Sequence, residues 1–359
     1  MKTNNKKVII WLTEIMDLIE EKPIGGIAVQ MYFWSQIFAK KGWQVHSFAM
    51  DIKETIERSN IIFTPKRNIR YINFFLEWWY AFKYIYSIRP KVIIFRGAHR
   101  VLLPLSIFAK LFNTKLVFFS ASDVNFEPGK ELVGSKFNRK LYQYSIRHIE
   151  YFVTQNQFQH DTLFNNYSKN SLIMFNIWGE TPQIKNTLQF KRDVVWVANF
   201  RRLKRAEWVI NVADKMPNHF FVLAGGCSDE SYYNDMKNRS ENESNIRFLG
   251  GISFSYSNQL IAGAKVLLCT SLFEGFPNTF LQAWSSGIPV ISTVDPSGII
   301  AENKLGEVVS NEEELFVALN RMLSDAQYYK NISTSITKFF KENHTVEVGY
   351  ERLINYLKI

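Results

Sequence analysis

Residues 266–293 read V-L-L-C-T-S-L-F-E-G-F-P-N-T-F-L-Q-A-W-S-S-G-I-P-V-I-S-T. Val266–Thr270 is a short apolar run without a period, the mark of a strand covered on both faces. A Gly/Pro turn follows, and Asn278 is placed to cap a helix that carries Phe280, Leu281 and Trp284 inward, with Thr279 and Gln282 on the other face. Pro289–Thr293 is apolar again. Strand, helix and strand in so few residues form the unit of a parallel sheet, because parallel neighbours require a crossover.

The same alternation extends in both directions. Val194–Asn199, Phe220–Ala224, Ile246–Leu249 and Glu307–Val309 complete one series of strands; Val8–Leu12, Val45–Met50, Val92–Arg96, Leu116–Ser120, Tyr151–Gln155 and Leu172–Phe175 form an earlier series of similar size. Between them Trp178–Asp193 is polar, contains Pro182 and lacks a period, as a linker does. A chain of 359 residues also exceeds what one core usually organises. The expected fold is therefore α/β, with two Rossmann-like, doubly wound parallel-sheet domains facing each other across a cleft and ligand sites at the carboxyl ends of their strands.

Composition narrows the class. With 47% hydrophobic and 21% charged residues there is matter for full cores, and no repeat or low-complexity tract argues for disorder. The apolar runs Val8–Leu12 and Val101–Phe112, the latter broken by Pro104 and Lys110, are too short for a signal peptide or a membrane span. Cys227 and Cys269 lie in or beside expected strands and read as buried free thiols of a reducing cytoplasm. No histidine stands at a metal-ligand spacing, so no metal is expected. Residues 1–180 hold 24 Lys and Arg against 14 Asp and Glu, whereas the rest hold 19 of each. That bias suits an anionic partner, such as a membrane surface at the inner face of the cytoplasmic membrane, a lipid diphosphate or nucleic acid; it equally suits a solvated basic surface. Tyr71–Ile88, rich in aromatic residues and flanked by Lys66, Arg67, Arg70, Lys83, Arg89 and Lys91, fits a membrane-interface helix or a helix packed on a sheet. No RNA or DNA motif is recognisable, and nucleic acid is not expected.

Four segments carry candidate chemistry. The turn containing Glu274, Gly275, Phe276, Pro277, Asn278 and Thr279 opens a helix whose free backbone N–H groups suit a phosphate, and the Glu274 carboxylate suits sugar hydroxyls. After the strand ending at Asn199, four cations (Arg201, Arg202, Lys204 and Arg205) crowd a helix start. They oppose its dipole, which a bound anion would relieve. Gly25-Gly26 at the head of the helix Ile27–Lys41 permits close backbone approach, or is an ordinary turn. Asp123, just past the strand Leu116–Ser120, can orient or deprotonate a hydroxyl, or cap a helix.

Taken together, the Gly25-Gly26 loop, the stretch Gln155-Asn156-Gln157-Phe158-Gln159 with Asn176, the turn Val197–Arg205 and Glu274-Gly275-Phe276-Pro277-Asn278 followed by Ser286–Ser292 resemble glycosyltransferase family 4, retaining enzymes of the GT-B fold. The resemblance spans nearly the whole chain. It implies a Glu-x7-Glu motif whose first member, Glu274, meets the donor sugar and whose second, on the ribose hydroxyls, is here Gln282. The family's glycine and arginine after the strand are Ala198 and Asn199 here, its lysine is Lys204, and Arg201 stands in for the missing arginine. These cations would hold the diphosphate leaving group without a metal. The resemblance further implies an acceptor-side domain of residues 1–178, joined by a C-terminal helix (341–359) that crosses back, and a donor-binding domain of residues 179–340.

The resulting expectation is a metal-independent hexosyltransferase without cofactor. It would move a hexose from a UDP- or GDP-linked sugar to a glycan or lipid-linked acceptor in bacterial capsule, O-antigen or exopolysaccharide synthesis. Catalytic residues are Glu274 and Asp123. Donor-binding residues are Gly25, Gly26, Asn199, Arg201, Lys204, Gly275, Phe276, Pro277, Asn278, Thr279 and Gln282. A nucleotide-sugar epimerase on the same fold and a non-catalytic nucleotide-sugar-binding assembly protein are the alternatives.

Overall fold

The computed structural model describes residues 6–21, 25–49, 52–65, 74–179 and 190–359. Met50, Lys66, Arg67, Arg70, Tyr71 and Pro182, which entered the readings above, lie outside the described residues. The chain forms two compact units, one holding most of the residues up to Ile177 together with Val346–Ile359, the other holding Trp178–Thr345.

In the first unit the strands are β1 (Lys7–Ile10), β2 (Gln44–Ala49), β3 (Ile56–Arg58), β4 (Ile61–Pro65), β5 (Val92–Arg96), β6 (Lys115–Phe119), β7 (Tyr151–Thr154) and β8 (Leu172–Ile173). They form one sheet in the order β3-β4-β2-β1-β5-β6-β7-β8, parallel except for the β3–β4 hairpin. Its helices are α1 (Ile15–Ile19), α2 (Gly26–Lys40), α3 (Phe74–Ile88), α4 (Leu102–Leu111), α5 (Lys136–His148) and α6 (Gln157–Tyr167). Val8, Ile9, Ile10, Ile93, Ile94 and Val117 are fully buried, which is why these strands read as unbroken apolar runs. The hairpin is an element the sequence did not announce. Ser59 and Asn60 turn it with φ of 50° and 61°, a conformation usually signalled by glycine.

The second unit repeats the plan with β9 (Val194–Val197), β10 (Phe221–Ala224), β11 (Ile246–Gly250), β12 (Val266–Cys269), β13 (Val290–Ser292) and β14 (Gly306–Val308), all parallel, ordered β11-β10-β9-β12-β13-β14. Its helices are α7 (Ala206–Asp214), α8 (Glu230–Glu241), α9 (Phe254–Ala262), α10 (Asn278–Trp284), α11 (Ile299–Asn303), α12 (Glu312–Ser324) and α13 (Ala326–Asn343). The strand order reverses between β9 and β12, and between β1 and β5 in the first unit. These are the switch points where loops diverge and leave a crevice.

A last helix, α14 (Val346–Leu357), belongs to the first unit and lies on α2. Trp43 Nε1 donates to the Tyr350 hydroxyl at 2.9 Å, Lys40 pairs with Glu347 at 2.8 Å, and a side chain at Gly349 would strike Ile177. Of the two free thiols only Cys269, inside β12, is buried. Cys227 is exposed, because it lies beyond the end of β10 in a surface loop.

Candidate functional site

At the switch point of the second unit the loops after β9 and β12 are tied together. Leu272 N donates to Leu203 O at 2.8 Å, and the Thr270 hydroxyl bonds Lys204 O at 2.7 Å and Arg205 O at 2.9 Å. The buried Trp196 donates Nε1 to that hydroxyl at 3.0 Å. The loops hold Lys204 against Glu274 in an ion pair whose side chains are 15% and 21% exposed, and the Ser271 hydroxyl donates to the same carboxylate at 2.8 Å. Two residues 70 positions apart, each singled out above, thus share one polar cluster.

Compensation for the basic turn is largely internal, which corrects the inference that a bound anion is needed to offset four cations. Arg202 lies 3.7 Å from Asp229, and Arg205 donates to Thr270 O at 2.6 Å and rests 3.9 Å above the Trp208 ring. Arg205 also adopts φ 49° before α7, where the Tyr232 hydroxyl caps the first helical N–H, that of Ala206, at 2.7 Å. Arg201 is exposed and has no partner among the described residues, so it is the cation of this turn left to meet a ligand.

Helix α10 departs from the sequence reading in three ways. Pro277, not Asn278, is the cap residue, since its extended ψ of 124° ends the loop and Asn278 already has helical geometry; the proline side chain has no group with which to cap this end. The Phe276 ring is half-buried and packs against Trp284 and His344, with centroids 6.2 and 5.8 Å away, so part of it belongs to the packing of the second unit. Gln282 is buried, its amide NH2 donating to Asn258 Oδ1 at 2.7 Å and Ser257 Oγ at 3.1 Å, which commits that group to α9. A Cβ placed on Gly275 would meet nothing within 4 Å, and Thr279 is half-buried in the first turn.

Asn199 is exposed and accepts from Gly226 N at 3.2 Å through its side-chain oxygen. Gly225 is where the loops after β9 and β10 meet most closely, since a Cβ there would lie 1.7 Å from Ala198 O. The sequence reading passed over this Gly225-Gly226 pair, although it bears the sign used for Gly25-Gly26. It also passed over Thr270 and Ser271, whose signal is two small hydroxyl residues at a strand end.

In the first unit Gly25 caps α2 with φ −86° and has open space before it, while Gly26 starts the helix. Asp123 begins a short 3-10 turn after β6 and accepts from Gln159 Nε2 at 2.7 Å and Asn156 Nδ2 at 3.1 Å. Nearby strand ends carry Arg96, whose Nη2 donates to Asn176 at 2.8 Å while its Nε is sealed from solvent without a partner among the described residues. Burial pushes the Arg96 guanidinium down to about 10, still charged at neutral pH. Asp123 and Arg96 thus stand at the carboxyl ends of β6 and β5, while Glu274, Lys204 and Arg201 stand at those of β12 and β9.

A family model, glycosyl transferases group 1, matches residues 191–325, the segment that holds Asn199, Arg201, Lys204, Glu274 and Gln282. Among curated proteins the chain is similar to an uncharacterized glycosyltransferase of Methanocaldococcus jannaschii, 23% identical over 59% of this chain and 57% of that one. It is also similar to the O-antigen biosynthesis glycosyltransferase WbnH of Escherichia coli, 26% identical over 44% and 46%. The match thus spans about half the length of these relatives. Among solved structures, sucrose-phosphate synthase of Thermosynechococcus elongatus superposes with a TM-score of 0.73 at 14% identity, covering 98% of this chain and 99% of that one. A Neisseria meningitidis UDP-GlcNAc 2-epimerase bound to UDP-GlcNAc does so with a TM-score of 0.64 at 10% identity, covering 97% and 100%. The chain has the GT-B fold, and its residues 191–325 are those that match the group 1 glycosyl transferases.

Proposed function

We propose that the protein is a retaining glycosyltransferase that moves a hexose from a nucleoside diphosphate sugar to a glycan or lipid-linked acceptor in bacterial surface polysaccharide assembly. The observation that carries this reading is the Lys204–Glu274 pair, with Arg201 in the same turn as Lys204, at the switch point of the unit that matches the family model. A diphosphate entering there meets two cations, and once it draws Lys204 away the Glu274 carboxylate is left to accept from sugar hydroxyls. As the bond from the anomeric carbon to the phosphate oxygen breaks, negative charge gathers on the leaving diphosphate, where preorganised cations lower the barrier without a metal. The acceptor oxygen bonds the same face of the anomeric carbon and releases its proton, for which Asp123 is the proposed partner. Asn199, Gly25, Gly26 and the backbone from Gly275 to Thr279 are proposed to contact the donor. Gln282, with its NH2 held by α9, can offer a ribose hydroxyl only its carbonyl oxygen. The relative in O-antigen biosynthesis supports the pathway.

An epimerase on the same fold is the second reading, favoured by the structural likeness to one. Incubation with UDP- and GDP-sugars decides between them. Transfer to a glycolipid acceptor with the anomeric configuration kept, unaffected by a chelator, supports the proposal; a product of inverted configuration removes the retaining mechanism. Formation of an epimer from donor alone establishes the rival.

A further inference from the structure

Two side-chain amides from the start of α6 converge on one oxygen of Asp123. Gln159 Nε2 donates to Asp123 Oδ1 at 2.7 Å, and Asn156 Nδ2 donates to the same atom at 3.1 Å. No ion pair reaches this carboxylate, and its Oδ2 has no partner, among the described residues. Asp123 is half-buried just beyond the carboxyl end of β6, so with Oδ1 committed, Oδ2 is the oxygen left for a ligand.

Neither amide is free to turn over. Gln159 is 1% exposed, and its Oε1 accepts from the Ser120 hydroxyl and, at 2.9 Å, from Gln155 N. A backbone N–H can only donate, which sets Oε1 on that side and the NH2 on the side of Asp123. Asn156 is oriented likewise, since its Oδ1 accepts from Gln159 N at 2.8 Å as the cap of α6 and only its Nδ2 remains for Asp123. The turn that carries Asp123 is held separately: Asn125 Oδ1 accepts from Ala121 N at 2.7 Å and from Ser122 N at 2.9 Å. Capping α6 uses the oxygens of Asn156 and Gln159, and it does not require both NH2 groups to meet on one carboxylate oxygen.

Neutral donors and cations treat a base differently. A lysine or arginine in contact would strongly favour the ionised carboxylate and weaken its hold on a proton, whereas amides fix its direction at a smaller loss of basicity. We propose that Gln159 and Asn156 are positioning residues, which occupy Oδ1 so that Oδ2 receives the proton of the acceptor hydroxyl. The inference rests on the transferase reading, in which Asp123 meets the acceptor. The acceptor O–H bond breaks as its oxygen bonds the anomeric carbon, the proton passes to Oδ2, and the electron pair of the bond to phosphate leaves with the diphosphate.

The test measures kcat and donor KM for transfer from a UDP- or GDP-sugar to a glycolipid acceptor, with melting temperatures beside them. Gln159→Glu leaves Ser120 and Gln155 their acceptor but sets a second carboxylate against Oδ1, and the two either repel or share one proton, so Asp123 becomes a displaced or weaker base. A fall in kcat of about 100-fold with donor KM unchanged is expected. Asn156→Ser keeps a good cap and loses only the NH2, and should lower kcat about ten-fold; it decides alone if the first variant does not fold. In an Asp123→Asn background neither change should cost anything further. Unchanged kcat in these variants, while the wild type transfers sugar, overturns the inference and leaves the transferase reading standing; no transfer by the wild type removes both. A loss that raises donor KM equally, follows a lowered melting temperature or persists beside Asp123→Asn reduces the amides to caps of α6 and also overturns it.

Discussion

The Lys204–Glu274 pair sets up a competition that substitution can expose. Glu274 holds the lysine that the proposed function assigns to the diphosphate, so ligand binding must first part them. At an effective dielectric constant of about 20, opposite charges in contact at ~3 Å attract by about 5 kcal/mol, most of it offset by desolvation. Fully exposed pairs retain at most about 1 kcal/mol. With side chains 15% and 21% exposed, this pair should keep somewhat more, about 1–2 kcal/mol. Glu274→Gln removes the competing charge while preserving the shape and the bond from Ser271. UDP or GDP should therefore bind roughly five- to thirty-fold more tightly. Transfer should nonetheless fall by about 100-fold or more, since the group that orients the sugar is lost. Isothermal titration measures the first effect and product formation the second. In a Lys204→Met background the gain should vanish, because the two substitutions act through one interaction. Nucleotide binding by a folded Glu274→Gln protein that is unchanged or weaker would refute the reasoning.

Glycine substitutions separate packing from ligand contact. Gly225→Ala should cost about 3–5 kcal/mol in denaturant unfolding, because its Cβ would collide with the Ala198 carbonyl, which is backbone and cannot turn aside. Gly275→Ala meets open space and should leave stability unchanged or raise it by about 0.4–1 kcal/mol, so any loss of nucleotide affinity would report the ligand. Gln282→Glu should cost about 1–3 kcal/mol at neutral pH, since it buries a carboxylate beside neutral partners even if Asn258 turns its amide Nδ2, buried without a partner among the described residues, toward it. A larger loss in thermal unfolding would show that α9 cannot adjust. His46 is held down to about 4 by burial and by Lys7, against an ordinary value of 6.5. Its folded value is the lower one, so the unfolded chain binds the extra proton and stability falls as pH drops from 6.5 toward 4. By pH 5 the loss is about 2 kcal/mol before discounting for the partial exposure of the ring, and about 1 after it. Urea titrations of His46→Gln should lack that increment.

All twelve strands expected from the sequence are present; most, such as β1, β5, β9, β10 and β12, are buried on both faces and leave uninterrupted apolar runs that need no partner to be recognised. The β3–β4 hairpin escaped because Ser59-Asn60 lacks the glycine that normally marks such a turn. Around the candidate site, Glu274 and Lys204 were legible as residue types at strand ends, but their pairing was not, since it depends on where β12 lies beside β9. The same limit explains Arg202 and Arg205, whose compensating partners Asp229, Thr270 and Trp208 are set by tertiary contacts. Asn278 was misplaced by one residue because asparagine is the commoner cap, and a proline with extended ψ took the position instead. Helix α3 was legible as composition only. Which aromatic rings face the sheet follows from the helix phase that packing selects.

The attachment of α14 to α2 governs the order in which the protein takes shape during translation. Tyr350, Leu353 and Leu357 are buried there, so the unit that starts first on the ribosome lacks part of its cover until residues 346–357 have left the exit tunnel. The unit encoded in the middle has all its strands available earlier. The second unit can therefore be completed before the first, and α2 keeps an uncovered apolar strip until α14 has been made.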